Sequence, residues 1–103
     1  MRRGLEDESP ACRGSALISL ELLSREHPGL VNAVRPLLHE LASHDDNQAV
    51  RRLAIFCLDN GSPQRETILI LSSIADDDEQ DRELRAAARK IGEQLRKRAA
   101  ARR

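Results

Sequence analysis

The chain has 103 residues, enough for one domain at most, with a single Phe and no Trp or Tyr. Its core must therefore be aliphatic, which suits close helix packing and gives little to stack on a sugar or a nucleobase. The net charge is zero, but residues 1–82 carry 9 Lys or Arg against 15 Asp or Glu, whereas residues 83–103 carry 8 against 2.

Targeting signals are not visible in the sequence. Met-Arg-Arg is followed by acidic residues rather than by an apolar segment, and no apolar run approaches the roughly 18 residues of a membrane span. Cys12 and Cys57 have no metal-like spacing and are expected to be buried free thiols, as in a reducing compartment. We expect a soluble cytoplasmic protein with no membrane partner.

The first helix is predicted after a polar lead of residues 1–9. Ser9 is a suitable N-cap and Pro10 a suitable first helical residue, so the helix is expected over residues 10–26. Its apolar residues cover more than one stripe, which predicts packing on more than one side. His27-Pro28-Gly29 ends it.

Four more helices follow. The second is predicted over residues 30–43 with a kink near residues 32–36, caused by Pro36. The third is predicted over residues 47–60, where Asn60-Gly61 is expected to supply a left-handed residue. The fourth is predicted over residues 64–75, although the β-branched run from Thr67 to Leu71 would also suit a buried strand. The fifth runs from residue 80 to beyond residue 95, and residues 99–103 form a basic tail.

A repeated pattern joins three of these helices. An acidic residue is followed six residues later by arginine, and a small residue lies three positions after the arginine, with offsets of 38 and 34 residues between copies. The acid–arginine pairs are Asp7 with Arg13, Asp45 with Arg51, and Glu79 with Arg85. Helical units repeating at this period indicate a stacked α-solenoid.

This pattern resembles the HEAT-repeat family, whose architecture is related to armadillo repeats. Pro36 is similar to the bend of a HEAT helix A, Asp45 to the acid of the turn, and Val50-Arg51 to the start of helix B. The resemblance covers about residues 7–95 and implies an all-α, HEAT-like α-α superhelix of about five helices and two and a half repeats, within a domain of residues 10–98. It also implies a ladder of polar contacts between neighbouring turns, made by the six acid and arginine residues named above.

No catalytic or ligand-binding motif stands out. His39 and His44 are five residues apart, so on a helix they differ by about 140° and do not share one ion. The acidic run at residues 76–81 lacks the glycine and the distal glutamate of a calcium loop. We therefore expect no enzyme, cofactor, metal or small-molecule substrate.

The first helix stays apolar at positions where a terminal repeat should become polar. The third helix carries apolar residues at the corresponding positions, whereas the fifth carries Arg89 and Lys90 there. The predicted protein-binding residues are Leu17, Ile18, Leu22, Arg52, Ile55 and Phe56. The alternative is that the first helix packs fully against its neighbours.

The sequence thus predicts a protein-interaction or assembly module that forms a homodimer or docks on a larger protein through its N-terminal helix. The alternative is nucleic-acid binding by the basic C-terminal helix, through Arg89, Lys90, Arg96, Lys97 and Arg98. A third alternative, an accessory subunit or lyase-type chaperone of the kind found among HEAT-like proteins, rests on the resemblance alone.

Overall fold

The computed structural model describes residues 2–102, and every regular element in that range is an α-helix. The all-α prediction is therefore confirmed. This range contains seven helices rather than five, because the N-terminal lead contains a short helix and the predicted second helix is divided into two. They are α1 (Arg2–Leu5), α2 (Pro10–Ser24), α3 (Gly29–Ala33), α4 (Arg35–His44), α5 (Gln48–Leu58), α6 (Arg65–Asp76) and α7 (Arg82–Ala101).

Helix α1 lies in the segment predicted to be a polar, frayed lead, whose first residue is outside the described range. Leu5 at its end is fully buried. A Cβ on Gly4 would lie 2.8 Å from the Ala16 Cβ, so the backbone of α1 packs closely on α2. The polar lead thus contains a short helix, and the burial of Leu5 helps to hold it against the domain.

Pro36 separates two helices where the sequence predicts one kinked helix. Val34, with φ −118° and ψ 17°, leaves the helical conformation between α3 and α4. Pro36 then falls in the first turn of α4, where its missing N–H needs no acceptor. The break is favoured because a proline inside one continuous helix would clash with the carbonyl of Asn32.

The three helices that carry the repeated pattern begin in the same way. Ser9, Asn47 and Asp81 are N-caps whose side chains accept a hydrogen bond from the backbone N–H three residues later. This confirms Ser9 as a cap and aligns the three helices at offsets of 38 and 34 residues. Each cap contributes about 1 kcal/mol by satisfying an N–H that has no partner inside the helix.

The last two helices differ from the prediction mainly at their ends. The β-branched run is helical in α6, so the helix interpretation of residues 64–75 is confirmed. Helix α7 continues to Ala101, so residues 99–101 are not a separate tail; Arg103 is outside the described range. Ala99 is half-buried and the three alanines at this end favour helix, which explains the extension.

The helices pack into a thin body of 39 × 34 × 18 Å, a thickness that fits two layers of helices. Helix α5 is central, because it contacts α2, α4 and α7. Helices α4 and α5, and likewise α6 and α7, form helical hairpins, and α4 also contacts α6. The core is aliphatic, as the composition predicts. Its largest fully buried side chains are Leu5, Leu17, Leu20, Leu38, Ile55, Leu58, Leu71, Leu84, Ile91 and Leu95.

Gly61 is needed for packing and not for a left-handed backbone. Among residues 2–102 no residue has positive φ, so the predicted left-handed residue at Asn60-Gly61 is wrong. A Cβ at Gly61 would lie only 2.6 Å from Val31 Cγ1. The glycine therefore lets the turn after α5 approach α3 closely.

Candidate interaction surface

Arg13 makes the strongest polar contact between neighbouring turns. Its Nε and Nη2 atoms donate to the two carboxylate oxygens of Asp45 at 2.8 and 3.1 Å, and its Nη1 donates to the backbone oxygen of Asp7 at 2.9 Å. The Asp7 carboxylate instead accepts from the backbone N–H of Ser9. Helix α2 is thereby tied to the turn before α5 by a bidentate pair that also raises the pKa of Arg13.

Arg51 does not contact Glu79, the acid that the repeat pattern places opposite it. Its Nε donates to the backbone oxygen of Ala42 and its Nη1 to Gln80 Oε1, both at 2.8 Å. The guanidinium is buried, which lowers its pKa. The next turn is therefore joined through Gln80, which directly follows Glu79. This turn has five residues, 77–81, whereas the turn before α5 has three, 45–47.

Arg85 turns back to its own unit. It donates to Asp78 Oδ1 and to the backbone oxygen of Ala75, both at 3.4 Å. Both acceptors precede α7, so Arg85 ties this helix to the turn that leads into it. Of the six residues predicted as a ladder, only Arg13 and Asp45 form a side-chain pair between turns.

Two of the predicted protein-binding residues belong to the core. Leu17 and Ile55 are fully buried. Helix α5 covers Leu17, whose backbone oxygen accepts from Cys57 Sγ at 3.2 Å. These two residues are therefore corrected from surface to core, and the alternative that α2 packs fully on its neighbours holds for Leu17.

The other predicted apolar residues are exposed. Ile18 is 51% exposed, Leu22 57% and Phe56 37%. Gly14 and Leu53 lie close together where α2 packs on α5, since a Cβ added at Gly14 would lie 3.7 Å from Leu53 Cδ1. Ile18 and Phe56 lie one turn after these two residues and are both exposed, so they flank the contact on its solvent side. We call Ile18, Leu22 and Phe56 the outer patch.

Arg52 lies at the border of the outer patch towards α7. Its Nη1 donates to Glu83 Oε2 at 2.5 Å, and the glutamate side chain is 75% exposed. An exposed ion pair of this kind adds little to stability. The predicted binding residue Arg52 therefore lies beside the outer patch, and its charge has one partner, the exposed carboxylate of Glu83.

The two cysteines occupy different environments. Cys57 is buried, which raises the pKa of its thiol to about 12. Cys12 is exposed, so the expectation that both thiols are buried is wrong for Cys12. The equivalent residue of α5, Val50, is covered by the rest of the domain, whereas Cys12 lies on the open side of α2.

The basic residues of α7 are largely exposed but not all free. Arg98 donates to the carboxylate of Asp59 at 2.8 Å, and Arg96 donates to the Ser72 hydroxyl. Arg89 donates to the backbone oxygen of Ala75 at 3.4 Å. We call the exposed residues Arg89, Lys90, Arg96 and Lys97 the basic face of α7.

His39 is a packing residue between α4 and α6. Its Nε2 atom lies 2.7 Å from Thr67 Oγ1 and its side chain is buried, which lowers its pKa. Across residues 2–102, no three His, Cys, Asp or Glu residues are placed to hold a metal ion. Within the same range, no helix combines the length and the apolar character that crossing a membrane requires.

Comparison of the chain with protein-family models, with curated proteins and with solved structures gives no match.

Proposed function

We propose that this protein is a protein-interaction module of the helical-repeat type, similar to a short HEAT solenoid, that binds its partner through the outer patch. The observation that carries the proposal is the exposure of Ile18, Leu22 and Phe56 on adjoining helices. Large apolar side chains grouped on the solvent side of a helix layer are typical of binding surfaces. A binding role rather than a catalytic one also suits the aliphatic composition.

The repeat architecture of the proposal is supported by shared details of the three long helices. Their N-caps align at the sequence offsets, and α5 lies between α2 and α7. In a stack of repeats, each helix of one layer contacts the equivalent helix before and after it. Arg13 and Asp45 make the contact between units that such a stack needs.

Site-specific photo-crosslinking tests the binding surface. Phe56 is replaced by p-benzoylphenylalanine in the cells that produce the protein, and Leu69 is replaced in the same way as a control. Leu69 is 57% exposed, more than Phe56, and lies on α6, which packs on α4 and α7. We expect ultraviolet light to give a discrete protein adduct from position 56 and none from position 69. Equal labelling from both positions, or no adduct from position 56, contradicts the proposal.

The basic face of α7 supports nucleic-acid binding as a second candidate. The exposed residues of this helix include five cations, Arg82, Arg89, Lys90, Arg96 and Lys97, against only Glu83 and Glu93, and Arg102 follows as its exposed C-cap. Binding of a short duplex should then weaken steeply with salt. The logarithm of the association constant should fall with the logarithm of the salt concentration by a slope of about 0.9 per phosphate contact. A Lys90→Glu, Lys97→Glu variant should lower that slope, and unchanged binding in the variant removes this candidate.

A further inference from the structure

Four exposed residues of α2 and its exposed C-cap residue follow a spacing of four and three residues in alternation. They are Ala11, Ser15, Ile18, Leu22 and Arg25. This spacing places them along one line of the helix and is the spacing of a coiled-coil seam, through which one helix packs against another. We call these five residues the seam of α2. Within residues 2–102 all five are exposed, so no other helix of the chain covers this line.

The exposed side of α2 carries almost no charge along its length. Of its two charged residues before Arg25, Arg13 is paired with Asp45 and Glu21 is half-buried. The exposed residues between Pro10 and Ser24 are Ala11, Cys12, Ser15, Ile18, Ser19, Leu22 and Leu23. A solvent-facing helix normally alternates charged and polar residues on its outer side, as α7 does. The uncharged surface of α2 therefore indicates an interface.

The seam of one copy is complementary to the seam of a second copy that runs in the opposite direction. We propose that α2 packs antiparallel on α2 of a second copy of this chain, about the midpoint between Ser15 and Ile18. In that arrangement Ala11 faces Leu22 of the other copy, and Ser15 faces Ile18. Each large side chain then meets a small one, which is how facing helices interdigitate at normal packing density. A two-fold contact of this kind closes on itself and gives a dimer.

The charges at the two ends of the seam fit the same arrangement. The Arg25 side chain is 62% exposed, and Glu8, which precedes α2 by two residues, is also exposed. The antiparallel pairing that places Ala11 against Leu22 also brings Arg25, at the C-terminal end of α2, next to the N-terminal end of α2 in the other copy, where Glu8 lies. A parallel pairing would instead face like charges. Opposite charges at both ends thus favour a second copy in this orientation.

This dimer rests on the proposed function, since it names the partner of the outer patch. Its first test is sedimentation equilibrium of the full chain at several concentrations. A contact made by one helix from each copy buries an area at the low end for protein interfaces. We therefore expect a monomer–dimer equilibrium with a dissociation constant in the micromolar range. The Leu22→Glu variant should raise the dimer dissociation constant at least about tenfold, because a charge replaces an apolar side chain opposite Ala11.

Leu69→Glu is the matched control, because Leu22 and Leu69 are both 57% exposed. It should leave the dissociation constant unchanged, and both variants should keep the circular dichroism of the native chain. A native chain that stays monomeric at every concentration overturns the dimer. So does an equal loss of dimer in the two variants.

The orientation is tested by reversing charges. Arg25→Glu and Glu8→Arg should each weaken the dimer several-fold, and the double variant should recover most of the loss. Arg25 also pairs with Glu21 in its own chain, and that pair is lost in the double variant as well. Recovery therefore reports the contact between copies, and its absence overturns the antiparallel arrangement.

The two proposals fail in different ways. A monomeric chain that still gives an adduct with another protein from position 56 keeps the interaction module and removes the dimer. A monomeric chain that gives no adduct removes both.

Discussion

The contrast between the two thiols leads to a prediction about single residues. Cys12 is exposed, whereas burial raises the pKa of Cys57 to about 12 and leaves it almost entirely as the thiol. We expect the native protein to react with one equivalent of a thiol reagent such as 5,5′-dithiobis(2-nitrobenzoate), and with a second only after unfolding. Cys12→Ser should abolish the rapid reaction. Rapid modification of both thiols in the native chain would show that α5 opens readily from α2.

His39 makes stability depend on pH. Burial lowers its pKa, Arg35 acts in the same direction, and Glu66 opposes them. The unfolded chain therefore takes up a proton at His39 near its ordinary pKa of about 6.5, before the folded chain does. The free energy of unfolding should fall as the pH drops below about 7, by at most about 1.4 kcal/mol per pH unit for one proton. Above that pH His39 is neutral in both states and should not change the free energy of unfolding.

Urea unfolding between pH 8 and pH 5 measures this effect. A His39→Gln variant differs in absolute stability, but its stability should decline less over that range because the titrating group is gone. Parallel curves for the two proteins would assign the pH dependence to other groups.

At the scale of elements, Gly61 tests how closely the turn after α5 packs on α3. Gly61→Ala should destabilise the protein by about 1 to 3 kcal/mol, because the new Cβ meets the stiff, buried side chain of Val31. Gly29→Ala is the control: a Cβ there has no neighbour within 4 Å, and alanine favours the first turn of α3. Thermal unfolding should separate the two variants, and equal melting temperatures would contradict the close approach.

The sequence predicts the elements whose signals are local. Caps, the apolar period and the acid–arginine pattern place the long helices within a few residues of their observed ends, except that α4 begins five residues after the predicted start at residue 30. It does not predict α1, because a segment with one leucine has no period, and Leu5 is buried only through contact with α2. Nor does the pattern separate Leu17 from Ile18: both are apolar neighbours, and only the position of α5 decides that the first is buried and the second exposed.

The polar contacts between units show a similar limit. The pairing of Arg13 with Asp45 follows from the repeat, because it joins the arginine of one unit to the acid of the next. The contact of Arg51 with Gln80 does not, because the run of acidic residues before α7 leaves the register of that turn open. Local chemistry determines which residues are available, and the length of each turn determines which of them meet.

At the scale of the whole molecule, the order in which helices open follows from their neighbours. Helix α5 contacts three other helices, whereas α1 has four residues and rests mainly on α2. Hydrogen exchange should therefore be slowest for the amides of α5 and fastest for those of α1. If α2 lies in the proposed dimer, its amides should also become more protected as the protein concentration rises through the dissociation constant, while α6 stays unchanged. Protection of α2 that is independent of concentration would mean that the free monomer already holds this helix as firmly as the dimer does. If the amides of α7 exchanged more slowly than those of α5, the most stable helix of the domain would be the basic one. That result would contradict the prediction made from the contacts of α5.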